Sequence, residues 1–202
     1  FALVDKSDNS ITRMLNGNRG IQIGDLKYPR AIYTLWTEAE RNAINIYEVT
    51  IDTSKRKDEE WYINTNITYS FDGTNATGSY GDATAKAHAD ANFTAEDEEN
   101  GKGTEGELKS KGLKTVLIRN VKLNAANELS KTDWYVVRKS EESTAIPSAI
   151  TTHRRAVRSK QAAMETAITN ASDTPALETL YTYTKDSDGV VSRPLGELPT
   201  LE

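Results

Sequence analysis

An α+β fold is predicted by three features of the 202-residue chain: short β-rich runs punctuated by turn residues near the start, a glycine- and acid-rich middle, and long helical periodicity towards the end. The expected architecture is a small N-terminal antiparallel β region with a short helix, then a C-terminal helical hairpin and a terminal β-hairpin. The matching division is a β-rich domain over 1–78, a flexible acidic and glycine-rich linker or loop over 79–106, and a helical domain with the terminal hairpin over 107–202.

The first element follows from FALVDKSDNSITRML, where apolar runs flank a Lys-Ser-Asp-Asn-Ser turn and predict a hairpin over 1–15. Thr37 and Glu40 have the spacing of a capping box, hydroxyl to backbone N–H and carboxylate back to the cap, so a short helix is predicted from Glu38. WYINTNITYSF alternates Tyr62, Asn64, Asn66 and Thr68 with Trp61, Ile63, Thr65, Ile67 and Tyr69, which predicts one strand with an exposed face. Asp72-Gly73 and Gly78 are expected to form the turns that follow.

Beyond the acidic middle, Leu108, Leu113, Leu117, Val121, Ala125 and Leu129 recur at spacings near four and predict an amphipathic helix weakened by Gly112. KTVLIRNVKL also reads as a strand, and both readings stand on the sequence. Asp133-Trp134-Tyr135 is expected to turn the chain. After Pro147, a stripe of Ile150, Val157, Met164 and Ile168, with His153 on it, predicts a helix over about 148–169. Asp188-Gly189 predicts the terminal hairpin.

The net charge of -5 disfavours binding to a phosphate backbone. The absence of cysteine excludes disulfides, thiolate nucleophiles and thiolate-bound metal within this sequence. No run approaches the roughly 18 apolar residues needed to span a bilayer, and no export signal is expected at the start. GKGTEG at 101–106 matches the letters of a dinucleotide fingerprint, but the acidic AEDEEN precedes it where a strand is required, so a flexible loop is expected instead. His88 and His153 lack ligand spacing, and no calcium-loop pattern is present. Asp82, His88 and the serines form no nucleophile elbow, while KRKDEE and AEDEEN read as solvated charge. No catalytic, cofactor-binding or metal-binding residue is expected, and the chain is not expected to be an enzyme.

Aromatic and arginine side chains carry the remaining information. Trp36, Trp61 and Trp134 each suit either a core or an interface. Trp134 is expected inside the bend, with Asp133 and Arg138 tying the turn. Arg154, Arg155, Arg158 and Lys160 are expected on the outer side of the last long helix, as a solvated face or as an anchor for an acidic partner.

LNAANELSKTDWYVVRKSEESTAIPSAITTHRRAVR resembles the C-terminal region of bacteriophage tail fibre assembly and tail assembly chaperone proteins, at Thr132, Asp133, Trp134, Arg154, Val157 and Arg158. His153 stands where that family often has tyrosine. The resemblance implies a first helix ending at the Asp-Trp pair and a second, arginine-bearing helix folded back on it. YPRAIYTLWTEAERNAINIYEV also resembles a segment of phage tail-associated proteins, at Trp36, Glu40, Arg41 and Tyr47.

The function these resemblances imply is that of a virion structural protein of the tail, an adaptor or tail-fibre-associated component. Its expected partners are other tail subunits (fibre, baseplate or adaptor) in an oligomeric assembly, with no nucleic acid and no cofactor. The expected location is the virion tail, and the host cytoplasm during assembly. The expected interface or packing residues are Trp36, Arg41, Tyr47, Asp133, Trp134, Arg138, Arg154, Val157 and Arg158. The alternatives are an assembly chaperone that leaves the particle, and a carbohydrate-binding module using aromatic residues of WYINTNITYSF.

Overall fold

The computed structural model describes residues 1–201. It has the α+β organisation expected, a β-rich N-terminal region with short helices, larger C-terminal helices and a terminal β-hairpin. The chain divides into two compact units, Phe1–Thr84 and a second beginning at Ala85.

The N-terminal unit opens with β1 (Ala2–Asp5) and β2 (Ser10–Met14), the predicted hairpin. Its turn is fixed by the Asp5 carboxylate, which accepts from the Ser7 N–H at 2.8 Å and the Ser7 hydroxyl at 2.6 Å. A second hairpin joins β3 (Ile21–Ile23) to β4 (Leu26–Tyr28), and a 3₁₀ turn follows at Arg30–Tyr33. Helix α1 (Glu38–Ala43) begins with the predicted capping box: the Glu40 N–H donates to Thr37 Oγ1 at 3.3 Å and the Thr37 N–H to Glu40 Oε2 at 2.7 Å. Strand β5 (Ile46–Tyr47) then completes a sheet in the order β2-β1-β5.

A second sheet departs from the expected antiparallel plan. Strand β6 (Val49–Asp52) pairs in parallel with β9 (Ala76–Ser79), from Val49 opposite Ala76 to Asp52 opposite Ser79. A parallel pair needs a long crossover, and residues 53–75 supply it, carrying β7 (Tyr62–Ile63) and β8 (Thr68–Phe71). WYINTNITYSF is therefore two short strands rather than one. The break has a local cause: the Asn64 carboxamide accepts from the Lys57 N–H at 2.9 Å and donates to the Lys57 carbonyl at 2.8 Å, bonding as a sheet neighbour would and diverting the chain.

Trp61 and Tyr62 are buried, so of the aromatic residues expected on an exposed face of this segment only Tyr69 is open to solvent. Gly78 is also not a turn. It lies in the central strand, where a Cβ would come within 2.8 Å of Ile51 Cδ1 and Tyr69 Cε1 and 2.9 Å of Ile67 Cγ2. Two apolar clusters hold this unit: Ala2, Val4, Tyr47, Phe71 and Ala76, and Ile21, Ile32, Tyr33 and Ile46.

Strand β10 (Thr84–Ala85) precedes the second unit's first ordered feature, which falls largely within the stretch expected to be a linker. Strand β11 (Ala91–Asn92), helix α2 (Ala95–Glu99) and β12 (Leu108–Ser110) form a folded loop, with β11 and β12 antiparallel. Asp97 organises it. Its carboxylate accepts from Lys109 Nζ at 2.8 and 2.9 Å and from the Thr94 N–H at 3.2 Å in a second capping box.

The Lys109 hydrogen bond, followed by that from the Thr94 backbone, brings the Asp97 carboxyl down from 3.8 to about 2. Because the folded value is the lower one, Asp97 stabilises the loop fully above its ordinary range, and that contribution disappears as pH falls from about 4 through about 2. Amide exchange at residues 93–109, followed between pH 5 and pH 2, should show this loop opening as acid is added. Asp97→Asn should flatten the dependence, and an unchanged profile in that variant would count against Asp97 as the cause.

Helix α3 (Leu113–Ser130) settles the helix-or-strand alternative, buries Leu117, Val121 and Ala125, and has Gly112 at its N-cap rather than in its interior. Leu108 belongs to β12 and not to this helix. The expected Asp-Trp-Tyr turn is instead the first turn of a helix, α4 (Asp133–Glu142), which ends where Ser143 takes a φ of 57°. Helix α5 (Ser148–Asn170) follows as predicted and packs along α3. Helix α6 (Thr174–Tyr181) was not expected, although Asp173 caps it by accepting from the Ala176 N–H at 2.8 Å and Pro175 lies in its first turn. The terminal hairpin pairs β13 (Thr184–Lys185) with β14 (Val191–Ser192), and Asp186 accepts from the Asp188 and Val190 N–H groups in its turn.

Candidate functional site

The site lies where α3 ends and α4 begins, and Arg154 of α5 builds it. Arg154 is not on an outer face as expected: it is 9% exposed. Its Nη1 donates to the Leu129 carbonyl at 2.7 Å and to Thr132 Oγ1 at 2.6 Å, and lies 2.9 Å from Asp133 Oδ1. Thr132 is 1% exposed, and its hydroxyl donates to the Leu129 carbonyl at 2.9 Å. Carbonyls at the end of a helix lack intrahelical donors. One guanidinium therefore serves the end of α3 and, through Asp133, fixes the first turn of α4. Of the residues carrying the resemblance, the structure brings Thr132, Asp133 and Arg154 into direct contact.

Trp134 takes the opposite role from the one expected. It is not packed inside a bend but is 58% exposed, because α4 continues as a helix and turns the indole outward. Its ring centroid lies 5.9 Å from that of Tyr135, and the Arg138 guanidinium carbon lies 4.7 Å from the Trp134 centroid and 5.3 Å from that of Tyr135. Asp133 and Arg138 were expected to tie a turn; instead Asp133 pairs with Arg154, and Arg138 lies against the exposed indole. No residue of α4 is buried; exposed Val137 lies one turn along from the indole on the same side, while exposed Val136 points to another side of the helix. The helix thus combines a fixed first turn with an open apolar and aromatic surface.

The other expected residues separate into distinct roles. Val157 is fully buried on the core side of α5, whereas Arg158 is exposed and Arg155 with it. In the N-terminal unit, Trp36 is half-buried and meets Tyr28 edge-on at 5.9 Å. Arg41 is buried, donates to the Trp36 carbonyl, and lies 3.4 Å from Glu48. Tyr47 is buried against Phe71 with ring centroids 4.5 Å apart. These three are internal packing residues.

Sequence reasoning missed Glu128, which sits on the buried stripe of α3 with Leu117, Val121 and Ala125. Its spacing on that stripe was the available signal. Glu128 accepts from Lys131 and from the Leu201 N–H, and lies 3.3 Å from His153 Nε2. The Lys131 hydrogen bond chiefly holds the Glu128 carboxyl below the usual range, against the effect of burial.

Among the described residues, no cluster of three or more His, Cys, Asp or Glu could hold a metal ion, and no helix is long and apolar enough to cross a membrane. Comparison with protein-family models, curated proteins and solved structures gives no match to this chain.

Proposed function

We propose that this protein is a structural component of a bacteriophage tail, an adaptor or tail-fibre-associated subunit that binds other tail proteins through α4. The observation that carries this reading is the exposed α4 pair Trp134 and Val137, 58% and 51% exposed one turn apart on a helix whose first turn is fixed by Arg154. A tryptophan on a preorganised helix suits polypeptide binding, because aromatic anchors that leave water supply much of an interface's energy and little ordering is required. The resemblance of this segment to tail assembly proteins supports a tail subunit as the partner, with an architectural and not a catalytic role. The protein acts in the virion tail, after assembly in the host cytoplasm.

Trp134→Ala separates packing from docking. With the indole this exposed, the isolated protein should lose less than about 1 kcal/mol of stability in urea denaturation, well short of the ~3–5 kcal/mol for deleting a buried aromatic. In particles purified after infection and quantified by mass spectrometry, the same substitution should deplete the protein at least tenfold. Wild-type protein missing from mature particles would overturn the virion assignment in favour of a helper that leaves. Undiminished incorporation of Trp134→Ala would remove α4 as the docking helix.

A further inference from the structure

A recess of about 650 Å³ opens in the N-terminal unit, between the end of β2, the start of β3 and the 3₁₀ turn. Arg13, Arg19, Asn16, Gln22, Met14 and Tyr33 contribute to its lining, and no carboxylate is among the lining residues. Neither arginine forms a salt bridge within the described residues, although 30 of the chain's residues are Asp or Glu. Two unpaired guanidiniums so close in sequence, in an acidic chain, leave the recess locally positive.

The remaining polar groups are also partly unused. The Asn16 carbonyl accepts from the Asn18 N–H at 3.4 Å, which leaves its NH₂ free to donate. The Gln22 NH₂ donates to the Gly24 carbonyl at 3.0 Å, which leaves its carbonyl free to accept. Tyr33 is only 8% exposed, yet its hydroxyl has no hydrogen-bond partner among the described residues. Burial raises the pKa of this phenol while the charge of Arg13 opposes the rise, which sets the phenol within the field of Arg13. The phenol lines the recess without an internal hydrogen bond, so its hydroxyl is available to donate to or accept from a ligand atom.

We propose that this recess binds an anionic monosaccharide unit, its carboxylate or phosphate held by Arg13 and Arg19. Guanidinium forks match the paired oxygens of either anion. Asn16, Gln22 and Tyr33 offer the mixture of donors and acceptors that ring hydroxyls require, and Met14 supplies apolar surface for ring carbons. The volume falls within the ordinary range for small-ligand pockets, roughly 300–1,000 Å³.

The test is a ¹H–¹⁵N titration of the full chain with glucuronate, glucose 6-phosphate, glucose and inorganic phosphate in parallel. One or both sugar anions should give saturable shifts confined to residues 13–22 and Tyr33, and the better of the two identifies the anion. Arg13→Ala/Arg19→Ala should weaken that binding at least tenfold. Because both arginines are exposed, its fold should be unchanged, as its spectrum away from the recess will show. Tyr33→Phe should weaken binding severalfold as an independent check. Absence of saturable shifts, equal binding of glucose, equal binding of phosphate alone, or full binding by the double variant would each overturn the assignment.

Discussion

Gly112→Ala should destabilise the C-terminal unit by about 3 kcal/mol, at the top of the usual range for overpacking a site that cannot yield. Conformational freedom is not the issue, since Gly112 has a φ of -80°, which any residue adopts. Space is the issue. A Cβ there would lie 2.3 Å from both the carbonyl carbon and the oxygen of Ala89, and 2.8 Å from its Cα. Those are backbone atoms, so no side-chain rotation relieves the clash.

The Ala89 segment is itself held in place by the start of α3. Leu113 N–H donates to the Ala87 carbonyl at 2.9 Å, Lys114 N–H to the His88 carbonyl at 3.0 Å, and Gly112 N–H to Asp90 Oδ1 at 2.7 Å. These bonds satisfy N–H groups that a helix start otherwise leaves open, so moving the loop aside breaks them. Urea denaturation of the variant checks the expectation. A loss below about 1 kcal/mol would mean that the loop moves freely and the bonds at the helix start contribute little.

Gly112 also shows where sequence reasoning reaches its limit. Features set by neighbours within a few residues were legible: the Thr37–Glu40 box, the turn at Asp5–Ser10, and the stripe that buries Ile150, Val157, Met164 and Ile168. A glycine required by a distant backbone reads in sequence as a helix breaker, and Gly78, required by Ile51 and Tyr69 across a sheet, reads as a turn. The parallel pairing of β6 with β9 was hidden for a related reason, because register between strands separated by a crossover is not written in either strand.

At the candidate site, the residue set was visible but the orientations were exchanged. Trp134 and Arg154 follow the general rule of aromatic inside and charge outside only when nothing else competes. Here the buried Thr132 hydroxyl oxygen and the Asp133 carboxylate, with the Leu129 carbonyl beside them, draw the guanidinium inward, while nothing in the core calls for the indole.

Arg154→Met tests that exchange and should cost about 2–3 kcal/mol. Methionine keeps the apolar stem to about the position of Arg154 Nε, so the loss reports the polar contacts together with a small void where the guanidinium sat. The penalty stays below that for a stranded buried ion for two reasons. Asp133, at 59% side-chain exposure, regains water. The Leu129 carbonyl still accepts from the Thr132 hydroxyl at 2.9 Å and the Thr132 N–H at 3.1 Å. What remains is Thr132 Oγ1 buried without its charged donor and α4 without its attachment to α5. Arg154→Lys should recover only part of the loss, since the shorter side chain does not carry its ammonium to the place where Nη1 meets Leu129, Thr132 and Asp133 together. In a double-mutant cycle, Thr132→Val should couple to Arg154→Met by about 1 kcal/mol, and Asp133→Asn by less, as expected of an exposed pair. Additive effects at Thr132 would contradict the geometry. Arg154→Met should also weaken docking while leaving the α4 surface chemically intact, whereas Trp134→Ala should weaken docking with stability preserved. The two substitutions together therefore distinguish a helix that is correctly placed from one that is correctly lined.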